Sequence, residues 1–478
     1  HRIQGTVPLC MWQYSRIFGT VRVPGIEEDH LEFHSESRHV TVICCDQYFK
    51  LEVYKKSGTP LKPTELQSQL QRIHDMAQES AEKNVNIAAL TSQNRDVWAR
   101  QREELKSMDA KNVETLKCIE ESLFVIVFDE SEPTTVDEMC HIGMHRNGKP
   151  LWFDKNFNLI ITKNGRCITN VDHTWADAVT MVTVYDFVFG TESSIDHWVK
   201  PSSLPDLPKP QRLQWQLTAD MSKQVDVAQK HIDTLAASLE LHVLKFQHFG
   251  KELVKRAGMS PDAFCQTAIQ LAWYRLRGEC ALTYESGGTV RFLCGRTETV
   301  RSLSCDMKKF CELMAQADAS LDVDAQEEHH TARFNQLKLA TKACVRYMRK
   351  ATNGDGADRH LLGLKILAAG SGMPLPALFT DKAYQLQFKL SSSQTPAHST
   401  LGGGFAPLAE DGYGMSYVVS HERLWFHISA YKAHPLTDVY KMADSLEKAL
   451  LDMRDVLLHS PKLSTDLSQR KFRIQRAE

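Results

Sequence analysis

The spacing of apolar residues changes along the chain, and the changes mark its elements. Residues 38–54 alternate β-branched and aromatic side chains with polar ones, which predicts two strands joined by a Cys-Asp-Gln turn at 45–47. Pro63-Thr64-Glu65-Leu66-Gln67 then predicts a helix start, with Thr64 as N-cap and Gln67 completing a capping box. The runs 123–128 and 157–162 are short and continuously apolar, as strands of a sheet interior are. Asn164-Gly165 is a tight hairpin signal, so 166–171 should return antiparallel and deliver His173 at the strand's end. From 175 to 189 the apolar spacing becomes helical.

Four prolines (Pro201, Pro205, Pro208, Pro210) fall in one short stretch that can be neither helix nor central strand. This is the strongest domain boundary in the chain. It divides an N-terminal domain, 1–210, from a C-terminal domain, 211–478. Beyond it the pattern predicts helix-rich segments at 219–257 and 260–277, and a polar helical stretch at 305–350. Strands follow near 384–391 and 415–428, and a helix closes the pattern at 438–458. In that helix Val439, Met442, Ala443, Leu446, Leu450, Met453 and Leu457 form one apolar stripe. The expected fold class is α/β, with mixed sheets and surrounding helices in two domains and no short-period repeat.

Composition narrows the partners more than the fold. With 42% hydrophobic and 24% charged residues and a formal charge of −2, nothing draws the whole chain to nucleic acid or acidic membranes. Any anion site must be local. No apolar run reaches the ~18 residues of a membrane span, which leaves surface attachment open. The twelve cysteines show no C-x-x-C. Scattered through apolar segments, as at Cys265, Cys280 and Cys294, they suit buried thiols in a reducing compartment better than disulfides or zinc.

The chemistry concentrates at a few places. His173 can take and return a proton near neutral pH, and Asp177 lies one helical turn on if the chain turns helical at Thr174. Ser391-Ser392-Ser393-Gln394 follows a strand-like run, and its hydroxyls suit donation to a developing oxyanion. Taken alone the triplet reads as a polar loop, and no G-x-S-x-G elbow supports a serine nucleophile. Lys251 and Lys255 share one helix face beside Arg256, a phosphate-sized positive patch or simply a solvated face. Tyr284-Glu285-Ser286, Gly295-Arg296-Thr297 and Asp358-Arg359-His360 are further polar clusters, in which Arg359 suits clamping a small carboxylate. Glu327-Glu328-His329-His330 lacks the order of a zinc motif and reads as a polar helix face. Asn353-Gly354-Asp355-Gly356 is too short for a calcium loop and reads as a turn, so no metal is expected.

Taken in order, several motifs resemble the carnitine/choline acyltransferase family. They are Pro8-Leu9-Cys10-Met11-Trp12-Gln13-Tyr14, Val23-Pro24-Gly25, Trp152-Phe153-Asp154-Lys155, the His173 motif, Ser260-Pro261-Asp262-Ala263-Phe264, Tyr284-Glu285-Ser286, Gly295-Arg296-Thr297, Asp358-Arg359-His360-Leu361, Ser391–Gln394 and Asp411-Gly412-Tyr413-Gly414. The resemblance spans nearly the whole chain and implies that the family's N-terminal region begins before His1. It implies two chloramphenicol-acetyltransferase-like domains with the active site at their interface. It also implies reversible acyl transfer between coenzyme A and carnitine, both substrates, with no prosthetic group. His173 would be the general base, Asp177 its supporting acid and Ser393 the oxyanion donor. Lys251 and Lys255 would meet the coenzyme A phosphates, with Asp262 and Gln394 on the same substrate. Tyr284, Thr297, Arg359 and Ser391 would surround carnitine, with Phe405 meeting its trimethylammonium by a cation–π contact. The family's Ser-Thr-Ser element departs here, since Ser392 replaces Thr.

Retention of Thr297 and Arg359 argues for carnitine over choline, which has no carboxylate to pair with a buried arginine. Gly403 stands where short-chain members carry a bulky residue that blocks an acyl tunnel. Each methylene admitted there adds about 0.8 kcal/mol, although three successive glycines also suit a bulge. The resemblance therefore implies a long-chain, mitochondrial, inner-membrane-associated member on the matrix side, acting in fatty-acid β-oxidation as a monomer with peripheral membrane contact. A medium-chain peroxisomal member and a non-catalytic acyl-CoA-binding paralogue are the alternatives.

Overall fold

Cys45 and Asp46 both take left-handed backbone, at φ 50° and 57°. That conformation lets a two-residue hairpin follow the twist of its strands. It joins two fully paired strands, as the alternation at 38–54 predicts. A computed structural model describes residues 3–4, 7–79, 85–192, 207–316, 323–397 and 402–459. The chain forms two units, Met11–Ser238, and Leu239–Glu478 together with His1–Cys10.

In the unit Met11–Ser238, β1 (Thr20–Val23) and β2 (His30–Phe33) form a ribbon. After them come β3 (His39–Cys44), β4 (Gln47–Glu52), α1 (Pro63–Gln78), α2 (Arg95–Met108), α3 (Ala110–Glu121) and β5 (Val125–Asp129). The unit continues with α4 (Val136–His145), β6 (Phe157–Thr162), β7 (Cys167–Val171), α5 (Ala178–Glu192), β8 (Gln211–Leu213) and α6 (Ala219–Ser238). The sheet runs β8-β4-β3-β5-β6-β7, with β3–β5 and β5–β6 parallel and the other pairs antiparallel. The runs at 123–128 and 157–162 are the central and next-to-edge strands, and the Asn164-Gly165 turn returns β7 antiparallel as expected. Helix α1 begins at Pro63, not after Thr64. Proline's fixed φ suits the first helical position, and Glu65 accepts from the Lys62 amide at 2.7 Å, taking the capping role assigned to Gln67.

The other unit contains β9 (Leu239–Phe246), α7 (Lys251–Arg256), α8 (Pro261–Arg277), β10 (Thr283–Gly288), β11 (Thr297–Arg301) and α9 (Cys305–Met314). Next come α10 (Val323–Thr352), α11 (Asp358–Gly370), α12 (Ala377–Thr380), β12 (Leu390–Gln394), β13 (Tyr413–Val419), β14 (Leu424–Tyr431) and α13 (Val439–Leu458). Its sheet runs β9-β14-β13-β12-β10-β11, with β13–β12 and β12–β10 parallel and the rest antiparallel. Every residue of the predicted α13 stripe is buried, and each large one contributes about 1.5–3 kcal/mol.

Two element assignments differ from expectation. Residues 239–246 are a strand inside a stretch read as helix-rich: Leu239, Leu241 and Val243 are buried on one face, while Leu244 and Phe246 on the other join the core with Phe426 and Leu424. The strand expected at 384–391 begins only at Leu390, so the serine triplet is itself the strand. The units part between Ser238 and Leu239 rather than at the prolines. Residues 201–206 lie outside the described residues. After them Pro208 accepts from Gln69 Nε2 of α1 at 2.6 Å, and β8 pairs with β4, so the chain returns to the first sheet. The cysteines are also mixed. Cys265 is buried, Cys280 is partly exposed and Cys294 is exposed, which departs from the expected set of buried thiols.

Candidate functional site

The candidate residues fall into two groups, one in each unit. In the first, β7 ends at Val171 and the chain bends through 172–177 before α5 starts at Ala178. His173 and Asp177 are therefore not one helical turn apart, as a helix from Thr174 would have made them. The bend is held from beneath. Trp175 is wholly buried against Phe157 and Met181, and its indole N–H donates to the Asn156 carbonyl at 3.0 Å. The same carbonyl accepts from the Asp172 amide at 3.1 Å. Thr174 donates to the Asp172 carboxylate, and burial pushes that carboxyl up. His173, between these anchored neighbours, is exposed.

Asp177 has a partner that sequence reading missed. Buried Gln13 donates from Nε2 to Asp177 Oδ2 at 2.7 Å, and its Oε1 accepts from the Asp177 amide at 2.8 Å and from the Thr180 hydroxyl at 2.9 Å. Both ends of the amide are used, so the carboxylate is fixed in position and orientation. Gln13 lies in the Pro8–Tyr14 motif, but nothing in its spacing points to a residue 164 positions away.

Two other motifs support the same bend. Asp154 Oδ1 accepts from Arg95 at 2.6 Å and its Oδ2 from Trp98 at 2.6 Å, and Arg95 also binds Asp29 at 2.8 Å. Asp29 accepts in turn from Arg22 at 2.6 Å and from the Gly25 amide at 3.1 Å. Burial pushes Asp154 up to about 6 against the pull of Arg95. Lys155 is fully buried, donates to the Glu120 carbonyl at 2.6 Å, and is pushed down to about 7 by that burial. Asn156 follows directly, with its side chain donating to the Ile17 and Leu123 carbonyls.

In the second unit the pairing registers decide which side chains share a face. Across a sheet, paired residues project to the same side and neighbours along a strand alternate. Tyr284 pairs with Ser391 and Arg301, Ser391 with Gly414, Ser393 with Ser416, and Ser416 with His427. Ser286 pairs with Thr299, and Gly288 with Thr297. One polar face therefore carries Tyr284, Thr297, Ser391 and Ser393. The opposite face carries Met415 and Ile428 of the core. Ser392 points that way too, donating to the Tyr284 carbonyl at 2.8 Å and accepting from Gln266 at 3.0 Å. The middle hydroxyl is thus a structural tie, and the outer two lie on the polar face.

Behind that face lies a buried acid pair. Tyr417 donates to Asp262 Oδ1 at 2.6 Å and lies 3.4 Å from Glu285 Oε1, and Gln266 Nε2 donates to the Tyr417 hydroxyl at 2.8 Å. Burial pushes both carboxyls up, and the neighbouring Asp262 adds to the shift at Glu285. Two adjacent buried carboxyls cannot both ionise, so the pair retains a proton. Asp262, expected toward the nucleotide, is engaged in this network.

The remaining residues come from three connections. Arg359, at the start of α11, is exposed and donates from Nε to the Thr297 carbonyl at 3.3 Å. Its neighbour Asp358 takes a bidentate pair from Arg301 at 2.6 and 3.0 Å. Thr297 and Arg359 are therefore together, while Tyr284 lies four residues along β10 from Thr297's partner Gly288, about 13 Å away. The segment 402–405 lies on the polar face, where Ser416 donates to the Gly403 carbonyl and Ser429 to that of Phe405 at 2.5 Å. Among the described residues a Cβ at Gly403 would meet nothing within 4 Å, whereas one at Gly404 would come within 2.7 Å of Leu241. Leu401 lies outside the described residues. Lys251 and Lys255 stand on α7, whose cap Gly250 presses against the turn at 421–423. A Cβ there would fall 2.4 Å from the His421 carbonyl. Gln394 ends β12 opposite Tyr417.

Glu327, Glu328, His329 and His330 lie on α10 as expected. Among the described residues no group of three or more His, Cys, Asp or Glu is arranged to hold a metal ion. No helix among them is long and apolar enough to cross a membrane.

The family profile described as Choline/Carnitine o-acyltransferase matches residues 2–448. Carnitine O-acetyltransferase of Columba livia is 35% identical over 96% of this chain and 73% of its own length. Carnitine O-palmitoyltransferase 1, muscle isoform, of Homo sapiens is 36% identical over 96% of this chain and 61% of its own length. Among solved structures, the wax ester synthase/diacylglycerol acyltransferase from Marinobacter aquaeolei VT8 aligns at 11% identity and a TM-score of 0.35, over 70% of this chain and 78% of its own. The chain belongs to the choline/carnitine O-acyltransferase family.

Proposed function

We propose that this chain transfers a long-chain acyl group reversibly between coenzyme A and carnitine. The observation that carries the reading is the polar sheet face. It presents Tyr284, Ser391 and Ser393 on the same side as Thr297, which Arg359 bonds, and a Cβ at Gly403 would meet nothing within 4 Å among the described residues. Arg359 and Thr297 would receive the carnitine carboxylate, Tyr284 and Ser391 would line the same substrate, and Phe405 would meet its trimethylammonium. Lys251 and Lys255 would take the coenzyme A phosphates, with Gln394 on that side. His173 removes the proton from carnitine's hydroxyl as the oxygen attacks the thioester carbonyl. Ser393 donates to the tetrahedral oxyanion. Collapse breaks the carbon–sulfur bond, and the departing thiolate takes the proton back from His173. Asp177, held by Gln13, keeps the imidazolium favourable and oriented.

The long-chain reading carries with it fatty-acid oxidation in mitochondria, a peripheral hold on the inner membrane and a monomeric state. A peroxisomal setting would accompany a medium-chain preference. A second reading, short-chain transfer, is supported by the carnitine O-acetyltransferases, which are as similar in identity as the palmitoyltransferases and are covered over 73–74% of their length against 60–61%. Measuring coenzyme A release from acetyl-, octanoyl- and palmitoyl-CoA, with and without carnitine, separates them. Palmitoyl-CoA should give the highest kcat/KM, and only with carnitine present. A maximum at acetyl-CoA would replace this reading with the short-chain one, and binding without turnover would end the enzymatic reading.

A further inference from the structure

Two thiols stand outside everything assigned above. Cys10 ends the N-terminal segment that belongs with the Leu239–Glu478 unit, and Cys294 sits in the loop 289–296 between β10 and β11. The Cys10 amide donates to the Val290 carbonyl at 2.7 Å, and the Cys294 amide donates to Cys10 Sγ at 3.2 Å. Segment and loop are thus joined at two points, and the second already brings one sulfur to the other cysteine's backbone. An N–Cα bond is about 1.46 Å, so the Cys294 Cα lies at most about 4.7 Å from the Cys10 sulfur. A disulfide needs Cα atoms about 4.4–6.8 Å apart and Cβ atoms about 3.5–4.5 Å apart. Rotation about the Cys294 Cα–Cβ bond moves its sulfur among staggered positions and can bring it toward that of Cys10. Cys294 is exposed and Cys10 partly so, whereas Cys44, Cys265, Cys311 and Cys344 are buried. The loop is also tied by its own turns, with Thr289 donating to the Arg296 carbonyl, Phe292 to that of Thr289 and Gly295 to that of Phe292, and Arg291 donates to the Asn353 side chain after α10.

We propose that Cys10 and Cys294 are a modification site that closes into a reversible disulfide under a two-electron oxidant such as hydrogen peroxide. The Cys294 thiolate attacks a peroxide oxygen, the O–O bond breaks, and the hydroxide released takes the thiol's proton as water. That leaves a sulfenic acid. The Cys10 sulfur then attacks the sulfenic sulfur, the S–O bond breaks, and the second water leaves with the Cys10 proton. Two thiols and one peroxide give one disulfide and two waters. The new bond pins the 289–296 loop to the N-terminal segment, immediately before Thr297.

The test uses the whole chain, treated with stoichiometric peroxide while folded, then unfolded in denaturant, alkylated with N-ethylmaleimide and mapped by peptide mass spectrometry. Two of the twelve thiols should escape alkylation. A single cross-linked peptide pair should carry Cys10 and Cys294, and dithiothreitol should release it. Hydrogen exchange across 289–296 should slow in the oxidised protein. Cys294→Ser, at an exposed position, should abolish the cross-link while the protein remains folded. Over-oxidation of Cys294 with Cys10 still alkylated would overturn the proposal. Preferential pairing of Cys280 with Cys311 would do the same.

Discussion

Gln13 holds Asp177 from both ends of its amide, and this contact makes a testable claim about single side chains. If Asp177 orients His173, loosening it should cost rate rather than binding. Gln13→Leu should lower kcat by about tenfold to a hundredfold, with KM for both substrates changed less than about threefold. A KM effect as large as the kcat effect would show that Gln13 serves only the fold. The serine triplet offers a sharper contrast. Ser393→Ala should lower kcat by about 10²–10³. Ser392→Ala should leave kcat within a few-fold and cost stability of about 1 kcal/mol, because its hydroxyl is tied to the Tyr284 carbonyl. Equal rate losses in the two variants would refute the assignment of faces. His173 and Asp177 stand out in the sequence as candidates because their residue types carry chemistry at close spacing. Gln13 was not, since a neutral amide gains meaning only from what the fold places against it.

At the scale of elements, strands with a clear turn signal were the easiest to read. The hairpins expected at 45–47 and Asn164-Gly165 both form, with Cys45, Asp46 and Gly165 in left-handed backbone, although Gln47 belongs to the strand, paired with Cys44, rather than to the turn. The β9 strand was lost among helices on either side, although its own alternation was present. The β12 strand was lost because serines are weak strand formers, and only pairing on both sides, with β10 and β13, makes them one. The segment 402–405 is held to this sheet by carbonyls that accept from Ser416 and Ser429. Its backbone is fixed while the Gly403 side-chain position stays open. Gly403→Met should therefore fold normally, with Tm unchanged within about 2 °C. Its palmitoyl/acetyl ratio of kcat/KM should fall by at least about tenfold, as a plug that excludes several methylenes requires. An unchanged ratio, in a variant of unchanged Tm, would remove Gly403 from any account of chain length.

For the whole molecule, the two six-stranded sheets share one pattern of pairing senses: antiparallel, antiparallel, parallel, parallel, antiparallel. No repeat in the sequence announces it, since residues with unlike side chains satisfy the same backbone ladder. The proline-rich stretch was visible as a break. Which sheet the chain would next join was not, because that depends on the open edge of β4 accepting β8. Stability as a whole bears the mark of buried Lys155. Above pH 10.5 its amine is neutral folded or unfolded, so its burial costs nothing as a charge. As pH falls below 10.5 the unfolded chain binds a proton that the folded one refuses, and stability declines until about pH 7. Below that, both states hold the proton and the loss is complete. Between pH 7.5 and 9.5 the native protein should therefore gain on the order of 2–3 kcal/mol relative to Lys155→Met, which has no such proton. Urea unfolding followed by tryptophan fluorescence would report it, since Trp98, Trp152 and Trp175 are all buried in the same unit as Lys155. Parallel stability curves for the two proteins across that range would mean that Lys155 titrates as an ordinary solvated lysine, and that its burial against the Glu120 carbonyl does not govern its charge.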